Sequence, residues 1–236
     1  FDLFLMLLKE INIARIRAIQ IVDYVLASED TSHLAVKFIN SGGLKLICPI
    51  LMGKGTSKLV KSYPKLLLSL DQDESHACAI VASLFKNTPC PSSAYFRLIT
   101  KFVEGSGEKF SKLVEIHKKY AVKLADFDRL HGIKRKIDED EWILDRINAG
   151  LFVLHQVDVS LLILCNSTTI IGLIRNNSDS QAEISEDLFA AVEDELPKLD
   201  CSSVFPEIVE NVKDFLRELD AKTTIPIVPL LKTFIQ

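Results

Sequence analysis

Across residues 142–166, read WILDRINAGLFVLHQVDVSLLILCN, the positions Ile143, Ile147, Gly150, Leu154, Val157, Leu161 and Leu164 recur at alternating steps of four and three. That spacing places them on one stripe of a helix. Leu151, Phe152, Val153, Leu162 and Ile163 fill other faces, so the second half is apolar almost all round. A helix apolar on every side has to be covered on every side. The pattern therefore predicts a central helix with neighbours packed around it.

The same periodicity runs through the rest of the chain. Asp2 to Lys9 reads as a short apolar helix, and Asn12 as the cap of a helix reaching Ala27 with Ile16, Ile19, Val22 and Leu26 inward. A third helix starts at Asp30 or Thr31, faces Leu34, Ala35, Phe38 and Ile39 inward, and ends at Ser41-Gly42-Gly43. Leu44 to Met52 resumes as a short helix, kinked or restarted near Pro49. Gly53 to Asp73 reads as irregular, broken by Pro64, with Asp71 and Glu74 resembling a capping box. The helix that follows, to Lys86, carries Ala77, Ile80, Val81 and Leu84, and Pro89 and Pro91 stop it. Ser92 or Ser93 caps a helix to Glu104, and Gly105-Ser106-Gly107 breaks it. Lys109 to about Lys136 is a long charged helix with Phe110, Leu113, Val114, His117, Tyr120, Ala121 and Leu124 on one side. Past Asn166 come a short helix at Thr169–Arg175, a polar loop at Asn176–Gln181, and helices at Ser185–Leu196, Pro206–Leu219 and Thr224–Ile235.

These elements repeat in kind. Residues 31–87 form a three-helix unit with the layout of an armadillo repeat, whose units pack only on their neighbours. Residues 1–28 supply the second and third helices of a preceding unit, and residues 92–166 a following unit with an enlarged second helix. The predicted fold is all-α: an armadillo/HEAT-like right-handed helical solenoid over 1–166 with a carboxy-terminal helical region over 167–236. Helix pairs of HEAT type would read similarly.

Composition narrows this little. The 236 residues are 48% hydrophobic and 25% charged, with only 9 Gly and 8 Pro, which suits long helices. The net charge of −4 is not the electrostatic footprint of a general nucleic-acid binder, so no direct nucleic-acid contact is expected. The chain begins at Phe1 without Met, as a fragment would. FDLFLMLLK is too short to span a bilayer, and His155, Gln156 and Asp158 interrupt the apolar half of the central helix, so no transmembrane segment is expected. Five cysteines (Cys48, Cys78, Cys90, Cys165, Cys201), with no C-x-x-C, mostly in apolar runs, read as reduced core thiols of a reducing compartment.

Candidate chemistry is sparse. Gly53-Lys54-Gly55-Thr56-Ser57 lacks the glycine and G-K-S/T order of a phosphate loop and reads as a flexible basic loop. His155 and Asp158, one turn apart, read as a polar patch rather than a metal site; a buried Asp158 needs a partner, which His155 or a neighbouring lysine would supply. Cys165 has no orienting group or oxyanion loop near it and reads as a core thiol. Asn166-Ser167-Thr168 and Asn176-Asn177-Ser178 match glycosylation sequons that a nuclear or cytosolic protein leaves unused. No catalytic residue, cofactor or metal is expected. The acidic run Asp138, Glu139, Asp140 and Glu141 has two readings: a solvated cap on the central helix, or a landing point for a basic partner segment. Lys134-Arg135-Lys136, just before it, would compete for that charge.

The runs FLMLLKE, KFINSGGLKLICPILM, HACAIVASLFKN, RLITKFVEGSGEKFSKLVEIHKKY and DRINAGLFVLHQ, in this order over residues 4–166, resemble the carboxy-terminal half of the beta-catenin-like protein 1 family. The resemblance implies a nuclear, non-catalytic, armadillo-type scaffold associated with the spliceosome. It also implies partners in the Nineteen Complex and the cell-division-cycle-5-like splicing factor, and recognition of basic nuclear-localisation-like segments. Importin-type relatives read such segments with Trp and Asn ladders, but here the single Trp is Trp142 and the 73–87 helix offers only Asn87, so no such ladder is expected. The central stripe would also support a homo-oligomer. A generic armadillo or HEAT adaptor in transport or cytoskeletal assembly is the competing expectation.

Overall fold

The computed structural model describes residues 2–28, 30–63, 67–131, 139–175, 186–202 and 205–218. Among these there is no strand. The helices are α1 (Asp2–Lys9), α2 (Ile13–Ala27), α3 (Ser32–Asn40), α4 (Leu44–Leu51), α5 (Thr56–Ser62), α6 (Leu67–Asn87), α7 (Ser93–His131), α8 (Glu139–Arg146), α9 (Phe152–Cys165), α10 (Ser167–Arg175), α11 (Glu186–Glu195) and α12 (Phe205–Glu218).

The local sequence explains most of the boundaries. Asn12 Oδ1 accepts from the Ala14 amide at 2.8 Å and caps α2, a contact worth about 1 kcal/mol. Ser92 Oγ accepts from the Tyr95 amide at 3.1 Å at the start of α7. At the end of α3, Gly42 has φ +82°, and the Gly43 amide reaches the Phe38 carbonyl (2.9 Å) while the Gly42 amide reaches that of Ile39 (3.1 Å). This pair of bonds closes the helix and requires a left-handed residue at Gly42. α3 and α4 then meet at 88°.

α2 packs on α6, α6 on α9, and α9 on α12, so these four helices lie side by side in a row. α4 packs on α6, and α11 lies on α7. One continuous core runs from Leu5 in α1 to Val212 in α12. Every side chain from Val153 to Leu164 is buried, as an all-round apolar helix demands. The stretch Glu141–Cys165 is apolar and long enough to cross a membrane, but 78% of its most apolar 18-residue window is buried within the protein, which is the burial of a core helix.

Several expectations need correcting. The central helix is not continuous: α8 and α9 are separated by a π-type turn, Ile147–Leu151, in which Gly150 has φ +121°. A Cβ at Gly150 would lie 2.4 Å from Tyr120 Cδ1, so the bend lets the α7 tyrosine press against bare backbone. α4 runs through Pro49 without a restart. The Gly53–Asp73 stretch is not irregular throughout, because Thr56–Ser62 is helical and α6 begins at Leu67. Asp71 therefore lies inside α6 and not at its start. Asp73, in the second turn of α6, is buried and held by Arg15 of α2. The break expected at Gly105-Ser106-Gly107 is present, with three successive left-handed residues, bracketed by Lys101 and Lys109 on Glu104 at 2.6 and 3.3 Å. Pro64, the Lys134–Lys136 run, Asp138, the Asn176–Gln181 loop and the Thr224–Ile235 helix lie outside the described residues.

Candidate functional site

Buried polar groups hold the stacked helices together. Arg15 Nη2 lies 3.4 Å from Asp73 Oδ2, with the side chains 4% and 6% exposed, and Arg15 Nη1 donates to the Lys54 carbonyl at 3.2 Å. Burial raises the Asp73 pKa and Arg15 opposes the rise. The Gly53–Gly55 turn is thus pinned from beneath by a guanidinium rather than opened as a phosphate cradle. Further along the row, Lys86 Nζ reaches Gln156 Oε1 at 3.2 Å, and burial lowers the Lys86 pKa.

The polar patch expected around His155 and Asp158 is real, but its membership differs. Asp158 Oδ1 is 2.6 Å from His117 Nδ1 of α7, both side chains being 0% exposed. Asn211 of α12 donates to Asp158 Oδ2 at 2.8 Å, and Glu207 Oε2 lies 3.4 Å from His117 Nε2. The partner is therefore His117, not His155 or a lysine. It was visible in the sequence only as one position on the inner stripe of α7. Burial works against a charge on His117, but the hydrogen bond and charge of Asp158, with Glu207 behind, outweigh it and raise its pKa. Burial raises Asp158 as well, with His117 and Asn211 pulling it back. A histidine–carboxylate pair suggests general-base chemistry; here both groups are sealed from solvent, so no substrate atom reaches them. The pair joins α7, α9 and α12 instead.

Peptide-binding ladder positions are also spent internally. Asn87 Nδ2 donates to the Leu26 carbonyl (2.9 Å) and Thr31 Oγ1 (3.0 Å), closing the α2–α3 turn. Trp142 is buried under the Arg146 guanidinium, 4.6 Å from its ring centroid, and Arg146 Nε is 3.1 Å from Asp128 Oδ1. Both side chains are thus engaged with neighbouring helices of the array.

Of the acidic run, Glu139, Asp140 and Glu141 form the first turn of α8, where the helix dipole favours them, and Glu141 is exposed. Among the described residues no three His, Cys, Asp or Glu side chains gather to hold a metal. The cysteines depart from the expected burial: Cys48 and Cys78 are buried, Cys165 and Cys201 half-buried, and Cys90 exposed.

Comparison with known proteins fits this architecture. The family described as "Catenin-beta-like, Arm-motif containing nuclear" matches residues 1–191. Beta-catenin-like protein 1 of Bos taurus is 32% identical over 174 residues, covering 69% of this chain and 30% of the relative. The Homo sapiens protein of that name is 30% identical over 174 residues with the same coverage. The Schizosaccharomyces pombe homolog is 27% identical over 161 residues, covering 66% of this chain and 26% of the relative. The chain thus spans about 30% of the length of the mammalian relatives it matches. A stacked row of helices, a core shared between units and a match over residues 1–191 together place the chain in the Catenin-beta-like family of Arm-motif-containing nuclear proteins.

Proposed function

We propose that this chain is a non-catalytic protein-interaction scaffold that serves the pre-mRNA splicing machinery in the nucleus. The observation that carries the scaffold reading is the fate of its polar side chains. Those that resemble catalytic or peptide-reading groups (His117 with Asp158, Asn87, Trp142) are consumed in holding neighbouring helices together. What is offered to partners is the outside of a rigid array, as in other solenoids. The splicing assignment, with the Nineteen Complex and the cell-division-cycle-5-like factor as partners, rests on the resemblance of the sequence runs to the beta-catenin-like protein 1 family.

Within that reading, Asp138, Glu139, Asp140 and Glu141 are the landing point for a basic nuclear-localisation-like segment. Three of them stand in the first turn of α8, and Glu141 faces solvent. Four negative charges in a row speed encounter with a basic segment and make it sensitive to salt. Self-association through the central stripe has less support, because α6, α7 and α12 already cover α9.

The test is a tagged pulldown of the full-length protein from nuclear extract, read by mass spectrometry. A version with Asp138, Glu139, Asp140 and Glu141 changed to Lys runs beside it. Splicing factors should come down with the first and be depleted from the second. Recovery of transport or cytoskeletal proteins in place of splicing factors would overturn the assignment in favour of a generic adaptor. Equal recovery by both forms would keep the scaffold and remove the acidic run from it.

A further inference from the structure

The net charge of −4 averages over an uneven chain, because residues 31–70 carry six lysines and not one Asp or Glu. Lys37, Lys45, Lys54, Lys58 and Lys61 belong to that block, and their side chains are exposed. Among the described residues, none of these five is paired with a carboxylate. The last three stand close together. Lys58 and Lys61 are three positions apart on α5, which makes them neighbours on its surface, and Leu59 anchors the helix to the core at 1% exposure. Lys54 lies in the turn that leads into α5, and that turn is fixed. The Lys54 amide donates to the Pro49 carbonyl at 2.8 Å, and the Lys54 carbonyl accepts from Arg15 Nη1 at 3.2 Å. Gly55 seats on the same guanidinium, whose Nη1 an added Cβ would meet at 2.9 Å. The acids nearby do not neutralise the strip. Asp73 is held by Arg15 at 3.4 Å, and Glu74 by Lys119 at 2.6 Å. Glu10, in the α1–α2 turn beside Gly55, is exposed and pairs with no lysine among the described residues. Three ammonium groups thus stand on a fixed backbone without a counter-charge in contact.

We propose that Lys54, Lys58 and Lys61 form a contact surface for the phosphodiester backbone of a nucleic acid. The expectation of no nucleic-acid contact came from the charge of the whole chain, and this face departs from that average. The chemistry of the strip favours phosphate over carboxylate. An exposed lysine–carboxylate pair contributes little, because both partners are well solvated and screened. A polyphosphate carries condensed counterions, and each lysine that replaces one releases it to the solvent, which drives binding at low salt. The strip holds no arginine, since none occurs between Arg17 and Arg97, so the planar fork that grips a carboxylate or a guanine edge is missing. Its one aromatic is Tyr63, at the end of α5 and half-buried, so there is no platform on which bases stack. The surface therefore reads charge and not base sequence. This inference goes beyond the scaffold reading and stands on the charges of this chain alone. A nuclear-extract pulldown that recovers no splicing factor would leave it intact.

The experiment titrates the whole purified chain into a fluorescein-labelled oligouridine RNA and follows anisotropy across a salt series. Binding should be weak, with Kd of about 10⁻⁴ to 10⁻⁶ M, and log K should fall with log salt at a slope of about −2, as three phosphate contacts on a single strand require. A DNA strand of the same length should bind within about threefold of the RNA, because ammonium groups on phosphate ignore the sugar. Lys58→Glu with Lys61→Glu should weaken binding by about tenfold or more at low salt. Lys118→Glu with Lys123→Glu makes the same charge change on exposed α7 lysines, and at about 0.1 M salt, where screening acts over about 10 Å, it should cost about threefold at most. Both pairs alter exposed side chains, and circular dichroism should show them folded as the wild type. A wild-type chain that binds neither strand at low salt overturns the proposal. Equal losses in the two double variants overturn it as well, since net charge would then be the whole effect. So does displacement of the RNA by polyglutamate at equal charge concentration, which would make the strip a site for an acidic protein segment.

Discussion

His117 and Asp158 are 41 positions apart in sequence and share one proton-bearing contact from which water is excluded. The raised His117 pKa fixes the sign of its pH dependence. Its contribution to stability is fully present below the ordinary histidine pKa of about 6.5 and is lost as pH rises through the higher folded-state value. The charged or titrating groups that face it are Asp158 from α9 and Glu207 from α12, with Asn211 completing the cluster. His117→Gln keeps a hydrogen-bond donor but cannot titrate. The stability gap between wild type and this variant, from urea unfolding, should be largest near about pH 6 and shrink by about pH 9. A gap that does not change with pH would mean that His117 binds its proton equally well folded and unfolded, against a raised pKa. Asn87 makes a second residue-scale case. Asn87→Ala strips a donor from the buried Leu26 carbonyl and from Thr31, and should cost about 1 to 2 kcal/mol. It should leave binding of a basic peptide, followed by fluorescence anisotropy, unchanged; a weakened affinity would put Asn87 back on a peptide-reading surface. Local chemistry such as the Asn12 and Ser92 caps was legible in the sequence because donor and acceptor are two or three residues apart. The partner of Asp158 was not, because nothing near it in sequence marks a histidine on another helix.

At the scale of elements, periodicity is a good guide to which face is buried and a poor guide to where a helix bends. The stripe Ile16, Ile19, Val22 and Leu26 is buried as expected, and so is Ala77, Ile80, Val81 and Leu84. The same periodicity passes through residues 147–151 without a fault, yet the backbone there is a π-type turn. One extra residue in a turn shifts the register little, so the apolar count does not show it. The glycine was the available clue, read as part of the stripe instead of as the place where Tyr120 comes closest. Gly150→Ala tests this. Alanine would have to hold φ near +121° and would place a methyl 2.4 Å from the Tyr120 ring, so a loss of about 1 to 3 kcal/mol is expected in chemical denaturation. Pairing it with Tyr120→Leu should recover part of that loss, since only the clash is relieved and the dihedral strain stays. A Gly150→Ala chain as stable as wild type would show that α8 and α9 can run as one regular helix. Early in α6, Asp73 is tied to Arg15 of α2, and a local capping rule does not see a partner 58 residues away.

Among the described residues, α2, α6, α9 and α12 form a row in which each helix packs chiefly on the next. Stability in such an array is close to a sum of unit terms and interface terms, so damage should spread by adjacency and not by distance along the chain. Ile19 is fully buried in α2, at one end of the row, and Leu161 is fully buried in α9, with neighbours on both sides. Each change to Ala should remove about 2 to 5 kcal/mol by leaving a cavity. The consequences should differ in extent. Ile19→Ala should speed amide exchange in α1, α2 and the face of α6 they cover, leaving α9 and α12 as protected as before. Leu161→Ala should loosen α6, α7, α9 and α12 together, because α9 touches all three of the others. Hydrogen–deuterium exchange resolved by peptide distinguishes the two patterns. Uniform loss of protection in both variants would show a single cooperative globule, in which case the outside of the array would not be a rigid surface for partners. An end that frays alone, beside a centre that holds, is the mechanical behaviour a scaffold needs: local opening at one unit leaves the surfaces of the other units in place.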